Sequence, residues 1–214
     1  MTPERRDPCS ALLLDLDGVL RRFDPARMVE VESRYELPPG ALLEAAFTPD
    51  RLRPAITGEV THRSWMDAVA AAVTDQLRAA GHGDPGSAAA AVADWSAYRG
   101  EVVPEVLEFV RRVRARGIRV ALGTNATDRL DADLARLDLT GEVDAVVNSS
   151  VVRHGKPTRE FFRAGCLELR TVPKRVLFVD DEDRNVRGAR EAGLAALRYT
   201  GPASLRYAEA ALAA

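Results

Sequence analysis

Four groups of polar side chains interrupt stretches of the chain that otherwise read as apolar strands. Asp15 and Asp17 follow the run Ala11-Leu12-Leu13-Leu14, and Thr124-Asn125 close the segment around residues 118–122. Lys156 follows residues 143–147 by several positions, and Asp180-Asp181 end residues 175–179. Together these types suit phosphoryl transfer. An aspartate can attack phosphorus and carry an acyl phosphate. A carboxylate two residues further along an extended strand lies on the same side and can serve as acid or base. Converging carboxylate oxygens suit a hard cation such as Mg²⁺. A hydroxyl, an amide and an ammonium can hold the equatorial phosphoryl oxygens. A charge pair at ~4 Å is worth about 4 kcal/mol at an effective dielectric near 20. Monoester hydrolysis needs a barrier reduction of order 25–30 kcal/mol. Several positioned groups and a metal are therefore expected to act together.

The surrounding elements must bring these groups together. The uninterrupted apolar run 11–14 fits a strand buried on both faces, with only its carboxyl end open. Between residues 24 and 100 strand-like runs vanish. Alanine-rich, helix-period stretches at 63–80 and 87–98 replace them, broken by Pro38-Pro39-Gly40 and by the Gly/Pro-rich residues 81–86. Beyond Gly100 helices alternate with strands. Helices are predicted at 104–116, 127–137 with Thr127 as N-cap, 158–169 and 184–192. Strands are predicted at 118–122, 143–147, 175–179 and 194–199. This is an α/β pattern: a three-layer, Rossmann-like, mostly parallel sheet with a helical cap inserted after the first strand. The core is expected over residues 1–22 and 101–214 and the cap over 23–100. In such sheets ligands bind beyond the carboxyl ends of the strands, where all four polar groups fall.

Composition narrows the classes. In 214 residues, 30 Lys plus Arg against 32 Asp plus Glu give a net charge of −2, so no strong field favours nucleic acid or an anionic membrane. The run Arg111-Arg112-Val113-Arg114-Ala115-Arg116 reads as a solvated helix face near a C-terminus. Cys9 and Cys166 have no metal-ligand spacing and imply no disulfide framework, which fits a reducing cytoplasm. Residues 1–7 lack an apolar signal core, and no apolar run is long enough to span a bilayer. The three histidines, His62, His82 and His154, are unclustered and read as surface or satisfied groups. Trp65 and Trp95 read as packing between cap helices rather than as stacking platforms.

The motifs resemble those of the haloacid dehalogenase-like hydrolase superfamily, specifically subfamily I with a small helical C1 cap and two adjacent acids in motif IV. Asp15-Leu16-Asp17-Gly18-Val19-Leu20 is similar to motif I, and Leu122-Gly123-Thr124-Asn125 to motif II. His154-Gly155-Lys156-Pro157 with Phe161-Phe162 is similar to motif III. Val179-Asp180-Asp181, followed by Asn185-Val186, Gly188-Ala189 and Ala192-Gly193, is similar to motif IV. The texture is that of the glucose-1-phosphatase-like and epoxide-hydrolase N-terminal group. The resemblance implies Asp15 as nucleophile and metal ligand. It implies Asp17 as general acid and base, with its backbone carbonyl on the metal. Thr124 and Lys156 would hold the phosphoryl group with the amide of Asn125 beside it. Asp181 would ligate Mg²⁺, with Asp180 in its immediate surroundings and Asn185 where many relatives have a second acid.

The expected activity is therefore Mg²⁺-dependent hydrolysis of a small phosphorylated metabolite through an aspartyl phosphate on Asp15. A homodimer is left open, and no nucleic-acid or membrane partner is expected. A phosphomutase would keep the same motifs. A haloacid dehalogenase would use the aspartate nucleophile without metal, but in the family pattern such enzymes lack an acid at the position of Asp17. A phospho-receiver has its paired acids before the phosphorylated aspartate, whereas here Asp180-Asp181 come last. A non-catalytic binding homologue would be expected to have lost a motif residue, and none is lost.

Overall fold

The computed structural model of the chain describes residues 8–79, 81 and 85–212. Its centre is a parallel sheet of five strands: β1 (Ala11–Leu14), β4 (Arg119–Thr124), β5 (Ala145–Asn148), β6 (Val176–Asp180) and β7 (Ala195–Arg198), in the order β5-β4-β1-β6-β7. β1 is flanked on both sides, with Leu14 level with Leu122 of β4 and with Val179 of β6. Strand alternation divides its side chains between two cores. Leu12 and Leu14 join Phe109, Val110 and Leu134 on one face, while Ala11 and Leu13 join Phe161, Phe162 and Phe178 on the other. Helices α6 (Pro104–Ala115), α7 (Leu130–Arg136) and α11 (Leu205–Ala211) cover the first face. Helices α9 (Arg159–Glu168) and α10 (Asp183–Glu191) cover the second. Both faces are buried, so the strands are uninterrupted apolar runs rather than alternating ones.

The chain leaves β1 through a two-residue strand, β2 (Arg21–Arg22), and returns through β3 (Glu101–Val102), which pairs with it antiparallel. Between them lie α1 (Pro25–Arg34), α2 (Ala41–Phe47), α3 (Pro49–Ile56), α4 (His62–Ala79) and α5 (Pro85–Ala97), with their own core around Val31, Leu42, Val69, Val73 and Val92. The ribbon is too short to produce a periodic signal and was not expected from the sequence. The short helix α8 (Ser149–Val152) follows β5 directly.

One expected cap is corrected. The helix predicted from Thr127 starts at Leu130, because Thr127 Oγ1 faces His62 and accepts from Arg129 N at 3.4 Å, closing a turn instead. Asp180 and Asp181 do not cap α10 through their side chains; Glu182 occupies the N-cap position, and Asp180 Oδ1 accepts from Glu182 N at 2.8 Å. Thr158 does cap α9, accepting from Phe161 N at 3.4 Å. The basic run on α6 faces outward and pairs with acids of neighbouring segments, Arg111 with Glu142 at 2.5 Å and Arg114 with Asp144 at 2.9 Å. Cys9 and Cys166 are both buried thiols, and burial pushes Cys166 up to about 11. Among the described residues, no helix is long and apolar enough to cross a membrane.

Candidate active site

The strand order sets where the site lies. From β1 the chain builds outward through β4 and β5, then returns to the other side for β6 and β7. The reversal opens a crevice beyond the carboxyl ends of β1 and its neighbours, the usual ligand position in an open α/β sheet. Register then places Asp15, one residue past Leu14, beside Asp180, one residue past Val179. Asp15 N donates to Val179 O at 2.9 Å, which fixes the turn-out of the chain.

Asp15 is buried, and its Oδ1 lies 2.6 Å from Lys156 Nζ. The same ammonium donates to Asp180 Oδ2 at 2.7 Å, so one lysine bridges two carboxylates. Leu16 N also donates to Asp15 Oδ1 at 2.7 Å. Asp180 is fully buried and receives Asn185 Nδ2 at 3.0 and 3.2 Å on its two oxygens. Asp15, Asp180 and Asp181 offer oxygens that all lie within 4.8 Å of one another. Burial pushes the Asp15 carboxyl well above the ordinary carboxylate range; Lys156 opposes this and Asp180 adds to it. Asp181 is raised for the same reasons, burial first and then the charge of Asp180. For Lys156 burial works against the charge, but Asp15 and Asp180 outweigh it and the ammonium is held above its usual range.

With all three carboxylates ionised, the one ammonium leaves two excess negative charges around buried Asp15 and Asp180 and half-buried Asp181. The Oδ1 atom of Asn185 is buried there without a hydrogen-bond partner. An excess of two charges, hard oxygen donors and an orphaned acceptor all fit a divalent cation with bound water. Gly18 leaves room for this group. A Cβ at that position would stand 2.2 Å from Asp181 Oδ2, and its φ of +85° belongs to the left-handed region.

The remaining predicted residues sit around this centre, two of them differently from expectation. Thr124 is buried at the end of β4, which runs beside β1. The Asn125 side chain is engaged with Lys156: its Oδ1 accepts from Lys156 N at 2.7 Å and its Nδ2 donates to Lys156 O at 3.1 Å. It secures the lysine loop, so its side-chain amide is not a free phosphoryl contact. Asp17 is outside the carboxylate group. Arg21 Nε and Nη2 hold its two oxygens at 2.6 and 3.0 Å, in the forked geometry that guanidinium and carboxylate favour. Asp180, expected only beside the metal ligands, offers an oxygen within 4.8 Å of those of Asp15 and Asp181.

Several residues that sequence reasoning missed lie next to Asp17. Arg21 is buried, and its Nη1 is 3.7 Å from Asp133 Oδ2. Arg99 and Arg129 approach the same Asp133 at 2.8 and 3.2 Å. Arg129 Nη1 also meets Ser96 Oγ and His62 Nε2, both at 2.7 Å, tying the inserted helices to α7. Burial, with the neighbouring Arg129 charge, lowers His62 to about 4. The only sequence signal was the density of arginines; which of them turn inward depends on tertiary contacts. His154 is exposed, and His82 lies outside the described residues.

Residues 9–193 match the family model for haloacid dehalogenase-like hydrolases, and the chain belongs to that family. No curated protein matches it in sequence. Among solved structures, it is similar to a HAD family enzyme from Bacteroides thetaiotaomicron in complex with magnesium and inorganic phosphate. That likeness has 21% identity and a TM-score of 0.68 over 89% of this chain and 93% of the other. It is also similar to the L-2-haloacid dehalogenase from Xanthobacter autotrophicus, with 21% identity and a TM-score of 0.63 over 89% and 77%. At these identities the likeness establishes the α/β fold, and the chain's own residues must separate phosphatase from dehalogenase.

Proposed function

We propose that this hydrolase is a Mg²⁺-dependent phosphatase acting on a small phosphate monoester, with Asp15 as nucleophile. The observation that carries the reading is the group of Asp15, Asp180 and half-buried Asp181, with one lysine bridging the first two and Asp17 two positions beyond the nucleophile. Asp15 attacks phosphorus in line with the leaving oxygen, and Asp17, released from the Arg21 fork and protonated, donates a proton to that oxygen. Asp17 then takes a proton from the water that attacks the acyl phosphate. Lys156 and Thr124 hold the phosphoryl oxygens, and Asn125 keeps the lysine loop in place. Asp15, Asp181 and the backbone carbonyl of Asp17 would hold Mg²⁺, with Asp180 and Asn185 ordering its water. When bound, the ion neutralises charge on the phosphoryl group. Residues 23–100 act as the cap over the leaving group, and we place the enzyme in the cytoplasm.

Haloacid dehalogenation is the second reading, supported by the similarity in fold to dehalogenases. It fits the charges less well. A 2-haloacid brings a carboxylate but no cation into a site already carrying two excess negative charges. The test is phosphate release from a panel of phosphate esters, with wild type and Asp15→Asn, with Mg²⁺ or with chelator. Chloride release from 2-chloropropionate is measured in parallel. We expect phosphate release that needs Asp15 and Mg²⁺, and no chloride. Equal turnover by Asp15→Asn removes the nucleophile from the account, and full turnover in chelator removes the metal. A phosphomutase would transfer the group to a second substrate hydroxyl in preference to water.

A further inference from the structure

We infer that the leaving group accepted here is a bulky apolar or aromatic alcohol with few hydroxyls, not a sugar. The inference deepens the phosphatase reading and rests on it. A cavity of about 540 Å³ lies between the inserted helices and the core, with Asp17 and Asn125 in its wall. A group leaving Asp15 past Asp17 therefore enters this space. Most of its exposed wall is carbon: Phe47, Trp65 and Trp95 pack edge to face with centroids 6.2–6.4 Å apart, and Met28, Met66 and Leu43 extend that surface. Aromatic and thioether side chains fit planar or branched apolar groups.

The polar atoms in the wall are largely engaged with one another. Trp65 Nε1 donates to Ala46 O at 3.2 Å. Asp24 Oδ1 caps α1 by accepting from Ala26 N at 2.9 Å, and Tyr98 Oη accepts from Asp24 N at 3.3 Å. Arg27 is paired with Glu30 at 2.6 Å and with Asp94 at 3.3 Å. Ser96 Oγ and His62 Nε2 face Arg129 Nη1. Among the described residues lining the cavity, the buried side-chain atoms without a hydrogen bond are Arg21 Nη1, which faces Asp133 Oδ2 at 3.7 Å, and Asp133 Oδ1, which lies 2.8 Å from Arg99 Nε. The charged groups deep in the wall are thus committed to one another, and the surface left for the leaving group is mainly apolar. A hexose would bury several hydroxyls against carbon, and each unpaired one weakens binding.

The test compares esters of primary alcohols, which limits the differences in leaving-group acidity: ethyl phosphate, 3-phenylpropyl phosphate and glucose 6-phosphate. We expect kcat/KM for 3-phenylpropyl phosphate to exceed that for glucose 6-phosphate by about 100-fold or more. Leu43 is half-exposed on the cavity wall, so Leu43→Asp is compatible with folding. It should lower the ratio of kcat/KM for 3-phenylpropyl over ethyl phosphate by about 10-fold. A second readout does not depend on turnover. Both tryptophans of the chain, Trp65 and Trp95, line this cavity, so their emission reports its occupancy. In Asp15→Asn, 3-phenylpropanol should shift that emission saturably and D-glucose should not. A kcat/KM for glucose 6-phosphate equal to or above the aryl-alkyl ester, or emission unmoved by 3-phenylpropanol, overturns the inference and leaves the phosphatase reading intact. Failure of all three esters counts against the phosphatase reading instead, and the emission titration still decides what the cavity accepts.

Discussion

Lys156 bridges two buried carboxylates at once, Asp15 at 2.6 Å and Asp180 at 2.7 Å. Removing one partner of a buried ionic group leaves the others uncompensated, which typically costs about 3–5 kcal/mol. Lys156→Met should therefore lower stability by about 3 kcal/mol in chelator, and Mg²⁺ should recover part of the loss by supplying positive charge to the same oxygens. Thermal melts with and without Mg²⁺ measure this. A midpoint equal to wild type in chelator would contradict the charge account. By the same linkage Mg²⁺ should raise the wild-type midpoint, and Asp181→Asn should reduce that rise. At this scale the gathering of Asp15, Lys156 and Asp181 at one sheet edge was legible, because carboxylates and an ammonium at or just beyond the ends of apolar runs stand out. The pairing of Asp17 with Arg21 was not. The interaction spans four positions across a tight loop, where Arg21 N donates to Leu16 O at 2.7 Å, and periodicity says nothing about such loops. The engagement of Asn125 with the backbone of Lys156, 31 positions away, was equally invisible.

The elements were legible where burial makes them regular. The strand predicted at 175–179 is β6 (Val176–Asp180), and the helix predicted at 158–169 is α9 (Arg159–Glu168). The termini shifted where side chains compete for backbone groups. β5 begins at Ala145 because the Asp144 carboxylate turns back to accept from Val120 N at 2.8 Å. Within the inserted helices, α2 is seated by a distant residue: Glu32 on α1 accepts from Gly40 N at 2.9 Å and from Leu42 N at 3.0 Å. The loop after β1 gives a controlled comparison between two glycines. Gly18 and Gly40 have nearly equal φ, +85° and +84°, but only at Gly18 would a Cβ meet a carboxylate. Gly40→Ala should cost about 1 kcal/mol from backbone strain alone. Gly18→Ala should cost at least ~1 kcal/mol more and lower kcat at least 10-fold, because Asp181 must move. Equal stability and equal kcat in the two variants would remove Gly18 from the site.

At the scale of the molecule, a core and an inserted set of helices meet through buried charges. His62 on α4, Ser96 on α5 and Arg129 before α7 form one contact across that junction. Burial lowers His62 from 6.5 to about 4 in the folded protein. The unfolded chain therefore binds this proton more readily, so stability from neutral His62 is full above pH 6.5 and declines as pH falls toward 4. The melting midpoint should drop through that window, and His62→Gln should drop less. Identical slopes would mean that the histidine is neutral for another reason or does not matter to the junction. Direct attack on phosphorus by Asp15 is the central claim, and Asp17→Asn gives the most direct test of it. With 4-nitrophenyl phosphate the leaving group needs no proton, so phosphorylation should proceed while hydrolysis of the acyl phosphate, lacking its base, stalls. Acid-quenched Asp17→Asn, incubated with Mg²⁺ and the phosphorus-labelled ester, should carry label on the peptide containing Asp15, and Asp15→Asn in the same background should carry none. Nitrophenol release from Asp17→Asn with unlabelled protein at every quench time would contradict the account.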